Sequence, residues 1–347
     1  MNVQAARPLP HHRGTIAVAL NEPTTEHARA ALRRAAEAAD IVELRIDLMD
    51  ECDLPRLLAE RPCPVVVTCR AVREGGKWHG TEDARLHVLR EAIQLGAEYV
   101  DVEADAIHQI HERGQSRLIA SSHDFTSMPA DLPGLWQRLA ETGADVVKVV
   151  GMAHDARDVA PVERMLSDAT LPTIAIAMGP AGLATRVLAL RHPSCLLTFC
   201  ALESGGGTAP GQIGVQELLS VYGGRTLSRQ TAVVGLLVPA VDAAVVADWN
   251  ARLRADNRDR VAVPLVVPND VSVPDVVEAL RPLDLRALHV APPFQEVVGQ
   301  ALDSLDGTAC RVGAVNLIEW HAGRLVGGWR ADADALVAQL DGLALPT

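Results

Sequence analysis

One lysine stands inside an apolar run, Asp145-Val146-Val147-Lys148-Val149-Val150. A run so rich in valine reads as a strand buried on both faces. An ammonium group in such a strand is costly unless it is paired or sheds its proton. Desolvation lowers a lysine pKa, and a neutral amine adds to a ketone to give an imine. Lys148 is therefore a candidate imine-forming nucleophile. The other reading at this point is a structural lysine that snorkels to the strand end or pairs with a carboxylate.

A lysine of this kind needs acid–base and anion-binding partners, and the elements around it supply positions for them. Before residue 215, β-rich runs occur at 15–20, 41–46, 64–69, 99–103, 118–122, 146–150, 173–178 and 196–200, with helical patterns at 26–39, 82–95, 135–142 and 160–168. This repeat is that of a (β/α)8 barrel, an α/β fold of the TIM type. A doubly wound open sheet is the alternative, but no Gly-rich phosphate fingerprint follows the first run. In a barrel, chemistry sits at the C-terminal ends of the strands. Glu43, Arg45, Asp47, Arg70, Glu74, Asp101, Glu103, His123, Asp124, Lys148 and Arg186 all lie in or just after the runs, and the loop 203–212 follows the eighth. Charges at strand after strand read as a functional site. A layer of barrel salt bridges is the competing account.

Composition narrows the function class. The chain has 347 residues, is 48% apolar and carries a formal net charge of −12. It can bury a sizeable core, and its acidity argues against a nucleic-acid partner. Cys52, Cys63, Cys69, Cys195, Cys200 and Cys310 form no CxxC pair, which reads as reduced thiols in a cytoplasmic protein. Residues 1–14 read as a tail and not as a signal peptide, and no run is long enough to cross a membrane. His108 and His111 have ligand-like spacing, but in a polar stretch with no third ligand they read as a solvated face.

A barrel is expected over 15–222 and a smaller α/β domain over 226–347, joined by Tyr222-Gly223-Gly224-Arg225. The second segment reads as strand 232–238, helix 243–255, strand 261–267, helix 273–280, strand 285–290, helix 294–305, strands 314–320 and 324–326, and helix 333–340.

Taken in order, the motifs of the first part resemble type I 3-dehydroquinate dehydratase. They are Glu43-Leu44-Arg45-Ile46-Asp47, Thr68-Cys69-Arg70 with Glu74-Gly75-Gly76, Asp101-Val102-Glu103, Ser122-His123-Asp124-Phe125, Lys148, Met178-Gly179 with Arg186, and Thr208-Ala209-Pro210-Gly211-Gln212. The resemblance implies a Schiff-base lyase of the shikimate pathway, which turns 3-dehydroquinate into 3-dehydroshikimate and water. It implies that Lys148 forms the imine, that His123 is general base and acid, that Glu74 assists the leaving hydroxyl, and that Asp101 orients or charge-stabilises His123. Arg186 would bind the substrate carboxylate with Gln212 and Thr208 beside it. Glu43, Arg45 and Arg70 would hold ring hydroxyls or tune the imine. Thr208 stands where the family usually has serine, and Gly205-Gly206-Gly207 suits a lid. No metal, NADP or other cofactor is implied, nor a membrane partner; a homodimer is the family-like expectation.

The second segment resembles the substrate-binding domain of shikimate dehydrogenase around Gly313-Ala314-Val315-Asn316. The family's Ser-x-Ser is replaced by Pro239-Ala240-Val241-Asp242-Ala243, its catalytic lysine aligns with Gln295, and its Asn-Thr-Asp aligns with Arg330-Ala331-Asp332. With no nicotinamide-binding segment before residue 347, a redox-inactive remnant is expected. Two rival readings are an aldolase-like lyase that also uses Lys148 and a non-catalytic ligand sensor.

Overall fold

The computed structural model describes residues 14–255, 258–321 and 323–341, so of the expected tail only Gly14 lies within the described residues. Eight parallel strands come first: β1 (Thr15–Leu20), β2 (Ile41–Arg45), β3 (Val65–Thr68), β4 (Tyr99–Glu103), β5 (Arg117–Asp124), β6 (Val146–Met152), β7 (Thr173–Met178) and β8 (Leu197–Ala201). They pair in the order β7-β6-β5-β4-β3-β2-β1-β8. Between β7 and β8 there is no ladder; a bridge at Thr173–Cys195 closes the barrel there.

Helices α1 (Thr25–Ala35), α2 (Leu54–Leu58), α3 (Glu82–Gln94), α4 (Leu132–Ala140), α5 (Val159–Asp168) and α6 (Leu183–Leu188) surround the barrel, and α7 (Val215–Ser220) follows β8. Their starts obey local chemistry. Thr24, Asp53, Thr81 and Asp131 each accept a hydrogen bond from a first-turn N–H, which satisfies donors that the helix itself leaves unpaired.

The two-residue period of the strands builds the site. On β6, Val146, Lys148 and Val150 share one side, while Val147 and Val149 join the outer core under the helices. The lower interior is apolar, with Ile41, Val66, Tyr99, Ile119 and Val146. Two residues further along the same strands stand Glu43, Thr68, Asp101, Ser121 and Lys148, all buried. The barrel is thus packed at its base and charged toward the C-terminal ends.

A second sheet has six strands: β9 (Ala232–Val238), β10 (Arg260–Val266), β11 (Leu285–Val290), β12 (Ser304–Leu305), β13 (Leu317–His321) and β14 (Arg324–Gly328). Their order is β10-β9-β11-β13-β14-β12. Strands β9, β10 and β11 are parallel, and β13 runs antiparallel to its neighbours. Helices α8 (Ala243–Leu253), α9 (Val273–Leu280), α10 (Gly307–Val312) and α11 (Ala333–Asp341) complete this domain.

The helix expected over 294–305 does not form. Short 3-10 turns at Pro292–Phe294 and Val298–Ala301 stand there, followed by β12. Val297, Val298 and Gly299 are weak helix formers, and Ser304–Leu305 pairs with β14 instead. Helix α10, unforeseen, is started by Asp306, which accepts from the N–H groups of Thr308 and Ala309 at 2.9 and 2.7 Å.

Edge strand β10 packs on α6 and on the turn Pro180–Gly182 that precedes it. All six residues of α6 are buried, unlike the half-exposed helices α1 and α3. One contiguous apolar cluster runs from the barrel's outer layer through α6 into the second sheet. Beyond α6, Arg191 donates to Asp284 at 3.1 Å and to the Arg229 carbonyl at 3.3 Å.

Candidate active site

Lys148 rises from β6 into the barrel with 4% exposure. Its Nζ lies 2.7 Å from Asp101 Oδ2 and 3.5 Å from Glu43 Oε1, and 4.6 Å from the centroid of the Phe199 ring. Both readings of the sequence meet here: burial is genuine, and it is answered by pairing with carboxylates. Glu43 is held in turn by the Thr68 hydroxyl at 2.9 Å.

Asp101 is expected to orient or charge-stabilise His123. Its oxygens go to Lys148, to Arg70 Nη2 at 2.7 Å and to the Ser121 hydroxyl at 2.6 Å and not to the imidazole, on which its charge acts through space. On the ladders Asp101 pairs with Ile119, while Lys148 pairs with Ser121 two residues further on and His123 stands two residues beyond that, so the Asp101 carboxylate meets the lysine and not the imidazole. Burial disfavours the Asp101 charge, yet Arg70 and Lys148 overcome that and hold its carboxyl well below the usual range.

The group that holds His123 is Glu74, from the 3-10 turn Val72–Glu74 after β3. Oε2 of Glu74 lies 2.9 Å from Nδ1 of His123. Burial raises the Glu74 carboxyl to about 7, and nearby Arg70 offsets this only in part. Burial together with Arg70 and Lys148 pushes His123 well below its ordinary value. The two therefore act as one coupled pair.

Arg70 is the hub. It contacts Asp101 at 2.7 Å, Glu103 at 3.1 Å, the Ser121 hydroxyl at 2.8 Å and Glu74 at 3.8 Å. Arg45 makes a bidentate pair with Asp47 at 2.9 and 2.7 Å, so its fork is already occupied.

Arg186 is different. It leaves α6 toward the cavity with 2% exposure. Its terminal nitrogens donate to the Phe199 and Pro210 carbonyls at 3.3 and 3.2 Å, and Nε has no partner. No carboxylate among the described residues pairs with it, and burial lowers it to about 10. Beside it, Gln212 Oε1 accepts from the Thr208 N–H at 2.7 Å, which braces the loop. Gly211 sits at a φ of 73°, and a Cβ there would stand 2.4 Å from the Gly179 carbonyl, so the loop packs directly on the segment after β7.

Of the residues given a role by the resemblance, all but Asp101 line one cavity: Glu43, Arg45, Arg70, Glu74, His123, Lys148, Arg186, Thr208 and Gln212; the strand-end charges Asp47, Glu103 and Asp124 do not line it. Asp101 lies just beneath it. A larger cleft of about 980 Å³ lies outside the barrel between α4, α5 and the second domain and contains none of them. Chemistry, and not volume, marks the site. Sequence reasoning missed Ser121, Phe199 and Arg85. The first two could have been found from strand alternation; Arg85 sits on α3 and carries no local signal. His108 and His111 are both exposed. Among the described residues no cluster of His, Cys, Asp and Glu is arranged to hold a metal ion, no helix is long and apolar enough to cross a membrane, and all six cysteines are free.

The fold and site define an α/β-barrel protein with its functional groups at the strand ends. Residues 16–228 match the family model of type I 3-dehydroquinase, and the chain belongs to that family. It is 34% identical over 227 residues to the 3-dehydroquinate dehydratase of Desulfotalea psychrophila, covering 61% of this chain and 98% of that one. It is 34% identical over 293 residues to the chloroplastic bifunctional 3-dehydroquinate dehydratase/shikimate dehydrogenase of Arabidopsis thaliana, covering 81% of this chain. That share exceeds the barrel, so the likeness reaches into the second, shikimate dehydrogenase-like domain. The chain spans 48% of the length of the Arabidopsis protein. A solved type I 3-dehydroquinate dehydratase from Clostridium difficile shares the barrel fold, with a TM-score of 0.54 at 24% identity over 60% of this chain and 90% of that one.

Proposed function

We propose that the barrel dehydrates 3-dehydroquinate through an imine on Lys148. The observation that carries this is a buried Lys148 Nζ at 2.7 Å from Asp101, with the coupled His123–Glu74 pair lining the same cavity. Nζ gives up a proton to the His123–Glu74 pair and adds to the ketone carbon; the pair returns that proton to the carbinolamine hydroxyl, which leaves as water to give the iminium. The iminium acidifies the neighbouring C–H, and His123 takes that proton. The C–H electron pair flows to the iminium nitrogen and returns to expel the β-hydroxyl, which leaves as water with the proton from the His123–Glu74 pair. A second water hydrolyses the product imine, releasing 3-dehydroshikimate and restoring Lys148. Asp101 and Glu43 hold Nζ in position.

Arg186 provides the charge for the substrate carboxylate, because its guanidinium has no counter-ion of its own. Thr208 and Gln212 sit beside it, and Glu43, Arg45 and Arg70 face the ring hydroxyls. The loop 203–212 supplies Thr208, Ala209 and Gln212 to the cavity lining, and its movement would admit substrate. No metal or cofactor enters this reaction.

We also propose that the second domain carries out no hydride transfer. Gln295 stands where the resembled family has lysine, and its amide donates to the Val290 carbonyl at 3.0 Å. Asp332 accepts from the Ala335 N–H at 2.8 Å at the start of α11.

The test is borohydride trapping with 3-dehydroquinate, followed by peptide mass mapping. A reduced adduct on Lys148, absent from Lys148→Met, supports the reading. A folded protein that yields no adduct and no dehydration would sink it.

A further inference from the structure

Arg85 is fully buried, although it belongs to α3 on the outside of the barrel. A buried arginine needs a reason, because leaving water costs a guanidinium several kcal/mol unless every donor is met. Its reason lies in the barrel wall. Nη1 donates to the carbonyl of Cys69 at 2.8 Å and to Glu103 Oε2 at 2.5 Å, while Nε and Nη2 grip Glu82 at 2.9 and 2.7 Å. Cys69 and Glu103 stand at the C-terminal ends of adjacent strands, so the side chain of Arg85 reaches the wall at the height of the site.

Glu103 is fully buried and is shared between two arginines. Its Oε2 belongs to Arg85; its Oε1 accepts from Arg70 Nη1 at 3.1 Å and from the Ala71 N–H at 3.0 Å. Arg70 then reaches Asp101, and Asp101 reaches Lys148. The charges alternate without a break: Glu82, Arg85, Glu103, Arg70, Asp101, Lys148. The line runs from a partly exposed carboxylate on α3 to the amine at the barrel centre.

We propose that Arg85 is a positioning residue for the reaction: by neutralising Glu103 from outside the barrel, it leaves the fork of Arg70 free to hold Asp101 and to set the charge around the His123–Glu74 pair. This rests on the function proposed above. The alternative geometry is plain. A buried Glu103 stripped of Arg85 has one unmet oxygen and draws Arg70 into a two-pronged contact, away from Asp101. The positive charge balancing the site then falls by one.

The groups that feel this are identified. His123 faces Arg70, Lys148, Asp101, Arg45 and Glu74. Glu74 faces Arg70, Glu103, Asp101 and Asp105 as well as His123. On the outer side, Arg85 faces Glu82, which Arg73 also approaches at 3.6 Å. Removing a cation from this set moves both His123 and Glu74 toward higher pH; removing Glu103 moves them the other way.

The experiment compares the full-length wild type with Arg85→Met, Arg85→Lys and Glu103→Gln. Two readouts are used: the pH dependence of kcat/KM with 3-dehydroquinate, and the ring resonance of His123 through a pH titration by NMR, assigned by its loss in His123→Asn. Arg85→Met is expected to shift both midpoints upward by about half a unit or more, the order set by one charge at an effective dielectric near 20. It should lower kcat about tenfold and leave KM nearly unchanged, because Arg186 holds the carboxylate from the far wall. Arg85→Lys keeps the charge and so keeps both midpoints, although it melts earlier. Glu103→Gln moves the midpoints down, and it serves should Arg85→Met not fold. If Arg85→Met leaves both midpoints at their wild-type values, or Arg85→Lys shifts them as far, Arg85 merely packs and the proposal is wrong. The NMR titration needs no turnover, so a failure of the dehydratase reading would be seen separately, as an inactive wild type.

Discussion

His123 Nδ1 and Glu74 Oε2 lie 2.9 Å apart, and their surroundings push the two groups in opposite directions. Burial lifts the carboxyl to about 7. Burial and the cations Arg70 and Lys148 depress the imidazole. The two share protons as one pair, and its deprotonated state is a neutral imidazole beside a carboxylate. That state can accept a proton from carbon, and the protonated state can give one to oxygen. Two groups whose environments drive them apart in this way are what acid–base chemistry at neutral pH requires.

The first prediction follows for pH. In the wild type, kcat/KM should rise with pH through about 7, as Glu74 ionises. Glu74→Gln should erase that inflection and lower kcat about a hundredfold, the usual scale for a positioned acid or base. Stability gives an independent check. A carboxyl whose folded value is raised stabilises the fold below its unfolded value and loses that contribution as pH rises through the folded one. For Glu74 the window runs from 4.5 to about 7. Glu74→Gln should therefore gain in melting temperature over wild type across that window. A wild-type inflection retained in the variant would assign it to another group.

Much of this was legible in the chain, for a definable reason. Strand periodicity is local, so Lys148 inside its valine run and the charges at each strand end could be placed without coordinates. Partner choice is not local. Asp101 could have served His123 or Lys148, and only the folded barrel shows its carboxylate 2.7 Å from the lysine. Arg85 was invisible because its role depends on a helix docking over Glu103. The stretch 294–305 was misread because pairing of Ser304–Leu305 with β14 overrides a weak helical pattern.

Arg186 carries a second prediction, in which activity and stability part company. Its guanidinium is buried, lowered to about 10 by burial, and opposed by no carboxylate among the described residues. Such a charge costs stability and is useful only when an anion arrives. Arg186→Met should raise KM for 3-dehydroquinate by ~30- to 150-fold, the loss expected for a charge-assisted hydrogen bond of about 2–3 kcal/mol. The same variant should melt at an unchanged or higher temperature. Borohydride trapping on Lys148 should persist at saturating substrate. An unchanged KM would remove Arg186 from the carboxylate site.

The third prediction concerns the second domain. A barrel helix ordinarily keeps one face in water, yet α6, Leu183-Ala184-Thr185-Arg186-Val187-Leu188, is buried on every side. A helix buried all round needs cover on all sides. Here the barrel supplies one side and β10 packs on the helix as well. The helix so enclosed is the one that carries Arg186. A chain cut after Arg225 should therefore expose an apolar patch at α6, bind a hydrophobic dye, self-associate, and melt at least about 5 °C lower, the scale set by a loss of roughly 2 kcal/mol in a domain of this size. Its KM should rise more than its rate of imine trapping falls, because Arg186 loosens while Lys148 stays in the barrel centre. A truncated barrel with wild-type melting, wild-type KM and no self-association would show that α6 needs no cover from the second sheet.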